Sequence, residues 1–261
     1  MNLSLVGKRA LVSGSTQGIG LAIAQELAQL GASCVLIARN EERLKAAINT
    51  LDTSKGQQHE LLVADFYNYK QVADVVNGFV ANKNIHILIN NSGGPAAGPV
   101  TDATTEAFLE AFQQHLICNQ LLAQAVATGM KADNYGRIVN IISTSVKIPL
   151  SGLGVSNTIR GAVASWAKTL SNELGAFGIT VNNVLPGATA TARLENIIQN
   201  KSAKTGAAEH EVEEKMQAEI PMKRFGKPEE IAAVATFLCT PAAAYVNGTS
   251  IPVDGGRTGT I

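Results

Sequence analysis

The sequence of 261 residues is poor in cysteine, with only Cys34, Cys118 and Cys239, far apart and each set among apolar neighbours. So few scattered sulfurs build neither a disulfide framework nor a thiolate metal site, so reduced core thiols are expected and a metal is not. Aromatic residues make up 5% of the chain, and its eight prolines form no linker. An excess of charge is also missing. The 21 basic and 21 acidic residues cancel to a formal net charge of zero. That balance argues against electrostatic capture of nucleic acid or of an anionic membrane surface. No apolar run reaches membrane-spanning length without a charge or a turn residue, and Met1 to Gly7 shows no secretory leader. A cytoplasmic location is the resulting expectation.

What the chain has is aliphatic bulk. Apolar residues amount to 46%, enough for one large core. Short Val/Ile/Leu runs predict strands at 9–12, 33–38, 59–64, 85–90, 137–143, 180–185 and 249–253. Helical periodicity predicts helices at 19–30, 41–51, 69–82, 105–130, 154–177 and 228–239. Continuous apolar strands alternating with helices read as a parallel sheet covered on both faces. The expected fold is α/β: a Rossmann-type, doubly wound parallel sheet of about seven strands in a single domain, 1–261. The polar segment 188–225, with helical patterning at 194–200 and 209–220, is expected to form a substrate lid, because it follows the sixth strand at the ligand-binding edge.

The first predicted strand runs into Ser13-Gly14-Ser15-Thr16-Gln17-Gly18-Ile19-Gly20 and then a helix. Glycine at 14 permits a tight turn, at 18 a close approach of backbone to pyrophosphate, and at 20 tight packing of helix on strand. The free N–H groups of the helix start would face the phosphates. An NAD-preferring site usually has a carboxylate at the end of the second strand, for the ribose hydroxyls. This chain has Ala38-Arg39 there, and a guanidinium suits a 2′-phosphate by charge and geometry, so NADP(H) is favoured over NAD(H).

In order and spacing, the motifs resemble those of the short-chain dehydrogenases/reductases over essentially the whole chain. They are the glycine segment, Asp65, Asn90-Asn91-Ser92-Gly93, Ser143, Pro186-Gly187 with Thr191, and Asp254-Gly255-Gly256. The resemblance implies that Asp65 contacts the adenine, that Asn91 and Gly93 line the cofactor, and that Thr191 holds the nicotinamide carboxamide. It implies that Ser143 hydrogen-bonds a substrate carbonyl, that the substrate is a small carbonyl compound or alcohol, and that the chain forms a homo-oligomer, a dimer or tetramer. Long helices at 105–130 and 154–177 occupy the positions of the family's interface.

The family's proton-donating tyrosine and its lysine align here with Ser156 and Arg160, and its structural helix asparagine with His115. Together with Val146-Lys147-Ile148-Pro149, this resembles a divergent 3-oxoacyl-[acyl-carrier-protein] reductase-like subgroup that lacks the tyrosine–lysine pair. A seryl oxygen stops roughly 4 Å short of where a phenol oxygen would sit, and serine is far less acidic than tyrosine. Arg160 keeps the positive charge but does not release a proton at ordinary pH. The alternatives for the proton are Lys147, if buried in the pocket, a water held by Ser156 and Arg160, or His115. Two functions follow from these readings: an NADP(H)-dependent carbonyl reductase with a non-standard proton donor, or an inactive nucleotide-binding sensor or partner subunit.

Overall fold

The computed structural model describes residues 1–259; Thr260 and Ile261, the end of the expected domain, lie outside the described residues. Seven parallel strands form one sheet: β1 Arg9–Ser13, β2 Ser33–Ala38, β3 Glu60–Val63, β4 Ile87–Asn90, β5 Gly136–Ile141, β6 Ile179–Pro186 and β7 Ser250–Val253. Their order is β3-β2-β1-β4-β5-β6-β7. The winding reverses between β1 and β4, which opens a crevice at their carboxyl ends.

The sheet separates two cores. On one side lie α1 (Gly18–Gln29), α2 (Glu41–Ile48) and α9 (Pro228–Cys239), packed on strand residues such as Val12, Leu36 and Ile89. On the other lie α3 (Tyr69–Val80), α5 (Cys118–Ala132) and α6 (Gly154–Leu174), packed on Leu11, Ile37 and Leu88. Alternate residues of β1, β2 and β4 serve opposite cores, so these strands are apolar on both faces over most of their length. All three cysteines are buried and unpaired, as the sequence implied. Burial pushes the Cys34 thiol up to about 12, so it stays protonated.

Starts of helices follow local chemistry. Asn40, Asn68 and Thr104 accept hydrogen bonds from the N–H groups of Arg43, Gln71 and Ala107, capping α2, α3 and α4 (Thr105–Phe112). Several expected helices differ from the sequence reading, and the one expected over 41–51 ends early, at Ile48. The segment expected as one helix over 105–130 is α4 and α5, joined by a π turn at Gln113–Ile117. A wider turn inserts a residue without breaking the apolar pattern, so periodicity does not reveal it. Helix α6 ends at Leu174, and a tight turn, Gly175–Phe177, leads to Gly178 in the left-handed region (φ 69°). The segment 188–225 carries α7 (Ala192–Thr205) and α8 (Glu209–Ala218) around a small core of Leu194, Ile198 and Val212.

Register across the centre of the sheet is fixed by buried amides. Asn90 Nδ2 donates to Asn140 Oδ1 (2.8 Å), Asn140 Nδ2 to Asn183 Oδ1 (2.9 Å), and Asn183 Nδ2 to Ser250 Oγ (3.0 Å). These four residues are direct partners on β4, β5, β6 and β7. A slip of one residue in any strand would turn an amide to the other face and strand its neighbours.

Candidate active site

Every sequence-derived site residue up to Thr191 lies at or beyond the carboxyl end of a strand, or on a helix that packs over that edge. Gly14 leaves β1 at φ 58°, and a Cβ there would lie 2.5 Å from the Asn91 carbonyl oxygen. A Cβ on Gly20 would overlap the Gly14 carbonyl, so α1 leaves the turn at a distance only glycine allows. Asn91 Nδ2 donates to the carbonyls of Ser13 (3.3 Å) and Gly14 (3.2 Å). Its backbone N–H donates to Ser13 Oγ (2.9 Å). The Asn91 side chain thus holds the glycine turn in place. Thr191 approaches the same turn, its Cγ2 3.2 Å from where a Cβ on Gly18 would stand. Thr16 and Ile19 are half-buried along the turn.

Several polar groups in this region have no partner. The α1 terminus has no side-chain cap and no acidic residue in its first turn. Ser15 Oγ is buried without a hydrogen-bond partner. Arg39 is exposed at the end of β2, and among the described residues no carboxylate lies within 4 Å of it. Asp65 is half-buried beyond β3, and its Oδ1 accepts from Tyr67 N–H (3.1 Å). Beyond β6, Gly187 N–H donates to the Val253 carbonyl (3.0 Å), which ties Pro186-Gly187 to β7. Gly93 is exposed at the mouth of the crevice.

Further along the crevice, Ser143 caps a turn at Thr144–Val146, with its Oγ accepting from Ser145 N–H (3.1 Å). Lys147 follows on the exposed side of that turn, so the burial expected of a pocket lysine is absent. Ser156 and Arg160 lie one turn apart on α6 and are both buried. Arg160 Nη1 donates to the Ile141 carbonyl at the end of β5 (2.8 Å). Burial lowers the Arg160 guanidinium to about 10, with the charge of Arg193 adding to the shift. It therefore remains a cation near neutral pH.

Two contacts were not legible in the sequence: that of His115, a candidate already, with Ser92, and that of Arg193 with the loop beyond β4. His115 sits on the π turn, buried, with Nδ1 2.7 Å from Ser92 Oγ, while its Nε2 has no partner. Burial pulls its pKa down to about 3, reinforced by the charges of Arg160 and Arg193. Arg193 lies near the start of α7 and reaches across to donate to the carbonyls of Gly94 (2.9 Å) and Pro95 (3.3 Å). In the sequence it is one basic residue in a polar segment, and only the fold brings it beside α6.

A parallel sheet with a glycine turn at its switch point, beside a crevice of polar side chains, is the architecture of the short-chain dehydrogenase/reductase class. The family model described as enoyl-(acyl-carrier-protein) reductase matches residues 14–258, and the chain belongs to that family. The chain is 32% identical to gluconate 5-dehydrogenase of Gluconobacter oxydans (strain 621H) over 98% of its length and 96% of that protein's. It is 31% identical to 3-oxoacyl-[acyl-carrier-protein] reductase FabG of Aquifex aeolicus (strain VF5), over 98% of its length and 99% of that protein's. Its fold superposes on L-sorbose reductase from Gluconobacter frateurii, solved with NADPH and L-sorbose, with a TM-score of 0.93 and 30% identity over the whole of both chains. Among the described residues, no helix is long and apolar enough to cross a membrane.

Proposed function

We propose that this chain is an NADP(H)-dependent reductase of small carbonyl compounds, of the 3-oxoacyl-[acyl-carrier-protein] reductase-like type. The observation that carries the reading is the unpartnered Arg39 at the end of β2, one strand away from a glycine turn built for phosphate. The residues present suit the cofactor. The uncapped α1 terminus and the Gly14–Gly20 turn would take the pyrophosphate, with Ser15 Oγ the orphaned hydroxyl beside it. Arg39 would take the 2′-phosphate, and Asp65 the adenine edge. Asn91, Gly93, Pro186, Gly187 and Thr191 would line the remainder. NADPH, when bound, supplies a hydride to the carbonyl carbon.

The chain's own part is to orient the carbonyl and provide the proton. Ser143 Oγ donates a hydrogen bond to the carbonyl oxygen and draws negative charge toward itself. With Lys147 exposed, the proton comes from a water held between Ser156 and Arg160, where the missing phenol leaves room. Arg160 stays charged, stabilises the developing alkoxide and lowers the cost of proton release from that water, which solvent then reprotonates. The segment 188–225 closes over the substrate as a lid, because Arg193 already ties its start to the loop beyond β4.

The test is NADPH oxidation against ketoacyl, quinone, sugar and aldehyde substrates, with Ser143→Ala as the control. Turnover that falls at least a hundredfold in the variant is expected. NADPH binding with no turnover across the panel would replace this reading with that of a nucleotide sensor or partner subunit. Arg160, an arginine tied to backbone and unable to act as a base, favours that second reading.

A further inference from the structure

Arg160 stands apart from the protein's other buried arginine. Arg137 is also buried away from any carboxylate, yet its guanidinium donates to the carbonyls of Gly136 (2.7 Å), Gly178 (3.1 Å) and Thr240 (3.5 Å) and lies 4.3 Å from the centre of the Tyr135 ring. Arg224 and Arg257, nearer the surface, pair with Glu230 and Glu219. Arg160 is 8% exposed and has one bond, to the Ile141 carbonyl. Among the described residues no acidic group lies within 4 Å of it or of Arg193. A buried cation with so little compensation is costly unless a counter-charge arrives.

Arg193 is held at the same crevice by its bonds to Gly94 and Pro95, which closely follow Ser92, the partner of His115, and its position is made by Gly94, where a Cβ would lie 2.6 Å from the guanidinium. The third member, His115, is buried with a free Nε2 and stays neutral beside these two cations. This part of the crevice thus holds two cations with, among the described residues, no acidic group within 4 Å of either.

We propose that the substrate carries a compact oxyanion, a carboxylate or a phosphate, gripped between Arg160 and Arg193, with His115 Nε2 as an additional donor. This deepens the reductase reading and rests on it. A guanidinium presents a planar fork that matches either oxyanion, and two forks on one anion fix its distance from the carbonyl. Arg193 belongs to the lid, so the anion also draws the lid shut on the substrate.

Binding of acetate, and separately of inorganic phosphate, to the protein loaded with NADP+ tests this by calorimetry and by the side-chain resonances of 15N-labelled arginine. Saturable binding of at least one in the millimolar range is expected, weakened about tenfold by Arg193→Gln and restored in part by Arg193→Lys. Acetate alone would mark a carboxylate substrate and phosphate alone a phosphoryl one. Because Arg160→Gln also removes a buried bond to β5, the rim residue Arg193 carries the comparison.

Three results overturn the proposal. They are no saturable response to either anion, equal binding by wild type and Arg193→Gln, and binding lost once NADP+ is present, which would assign the arginines to the cofactor. NADP+ affinity is measured on the same samples. Its absence defeats the reductase reading, while the comparison of variants still decides the anion site.

Discussion

Arg39 shows how far one side chain can carry a functional argument. It lies at the end of β2 in solvent, beside no acid, and does nothing for the fold. Arg39→Ala is therefore expected to leave thermal stability unchanged and to weaken NADPH binding at least tenfold more than NADH binding, about 1.4 kcal/mol or more. Fluorescence titration of both nucleotides checks this, and equal losses would remove Arg39 from the phosphate site. His115 gives the opposite case, a residue whose neighbourhood the sequence hides. Its folded pKa, about 3, lies below the ordinary 6.5, so the unfolded chain binds a proton that the folded chain refuses. Stability is thus complete above 6.5 and falls as pH drops toward 3. The slope from this residue is at most roughly 1.4 kcal/mol per pH unit. Urea unfolding across that window should show a steeper acid loss in wild type than in His115→Asn. Parallel curves would mean that His115 is not buried as a neutral base.

At the scale of elements, apolar runs located all seven strands because most of this sheet is covered on both faces, so strands such as β1, β2 and β4 are apolar over most of their length. The glycine turn was legible for the same kind of reason: Gly14 and Gly20 stand where any side chain would collide. Three features were not legible, each depending on contacts distant in sequence. The π turn hides inside helical periodicity. Arg193 gains its position only when α7 folds back over the loop beyond β4. The buried amides are scattered through the sequence, and each looks like an ordinary polar interruption of a strand. Their alignment has an energetic consequence. Asn140→Ala would leave the Asn90 donor and the Asn183 acceptor buried without partners, at a cost of about 3 kcal/mol. A denaturation midpoint that shifts by less than about 1 kcal/mol would show that water or a neighbour replaces the lost bonds.

For the whole molecule, the outer surface of α4 is the place to look for assembly. Leu109 and Phe112 are 55% and 39% exposed on it, on the long helical segment that the family resemblance assigns to a subunit interface. The expected outcome in sedimentation is a dimer or tetramer that dissociates when Leu109 and Phe112 are both replaced by glutamate. A wild-type monomer would contradict it. The ladder of amides also bears on how the chain comes off the ribosome. Asn90, Asn140 and Asn183 are synthesised in order, but the hydroxyl that receives the last donor belongs to Ser250, in the edge strand near the end of the sequence. Until that stretch leaves the exit tunnel, a nascent chain that has paired β4, β5 and β6 carries an unsatisfied amide at its growing margin. Pairing of β7 satisfies that amide, whereas a chain stopped short of Ser250 exposes the long, otherwise buried β6 as an edge that a chaperone or a second copy can engage.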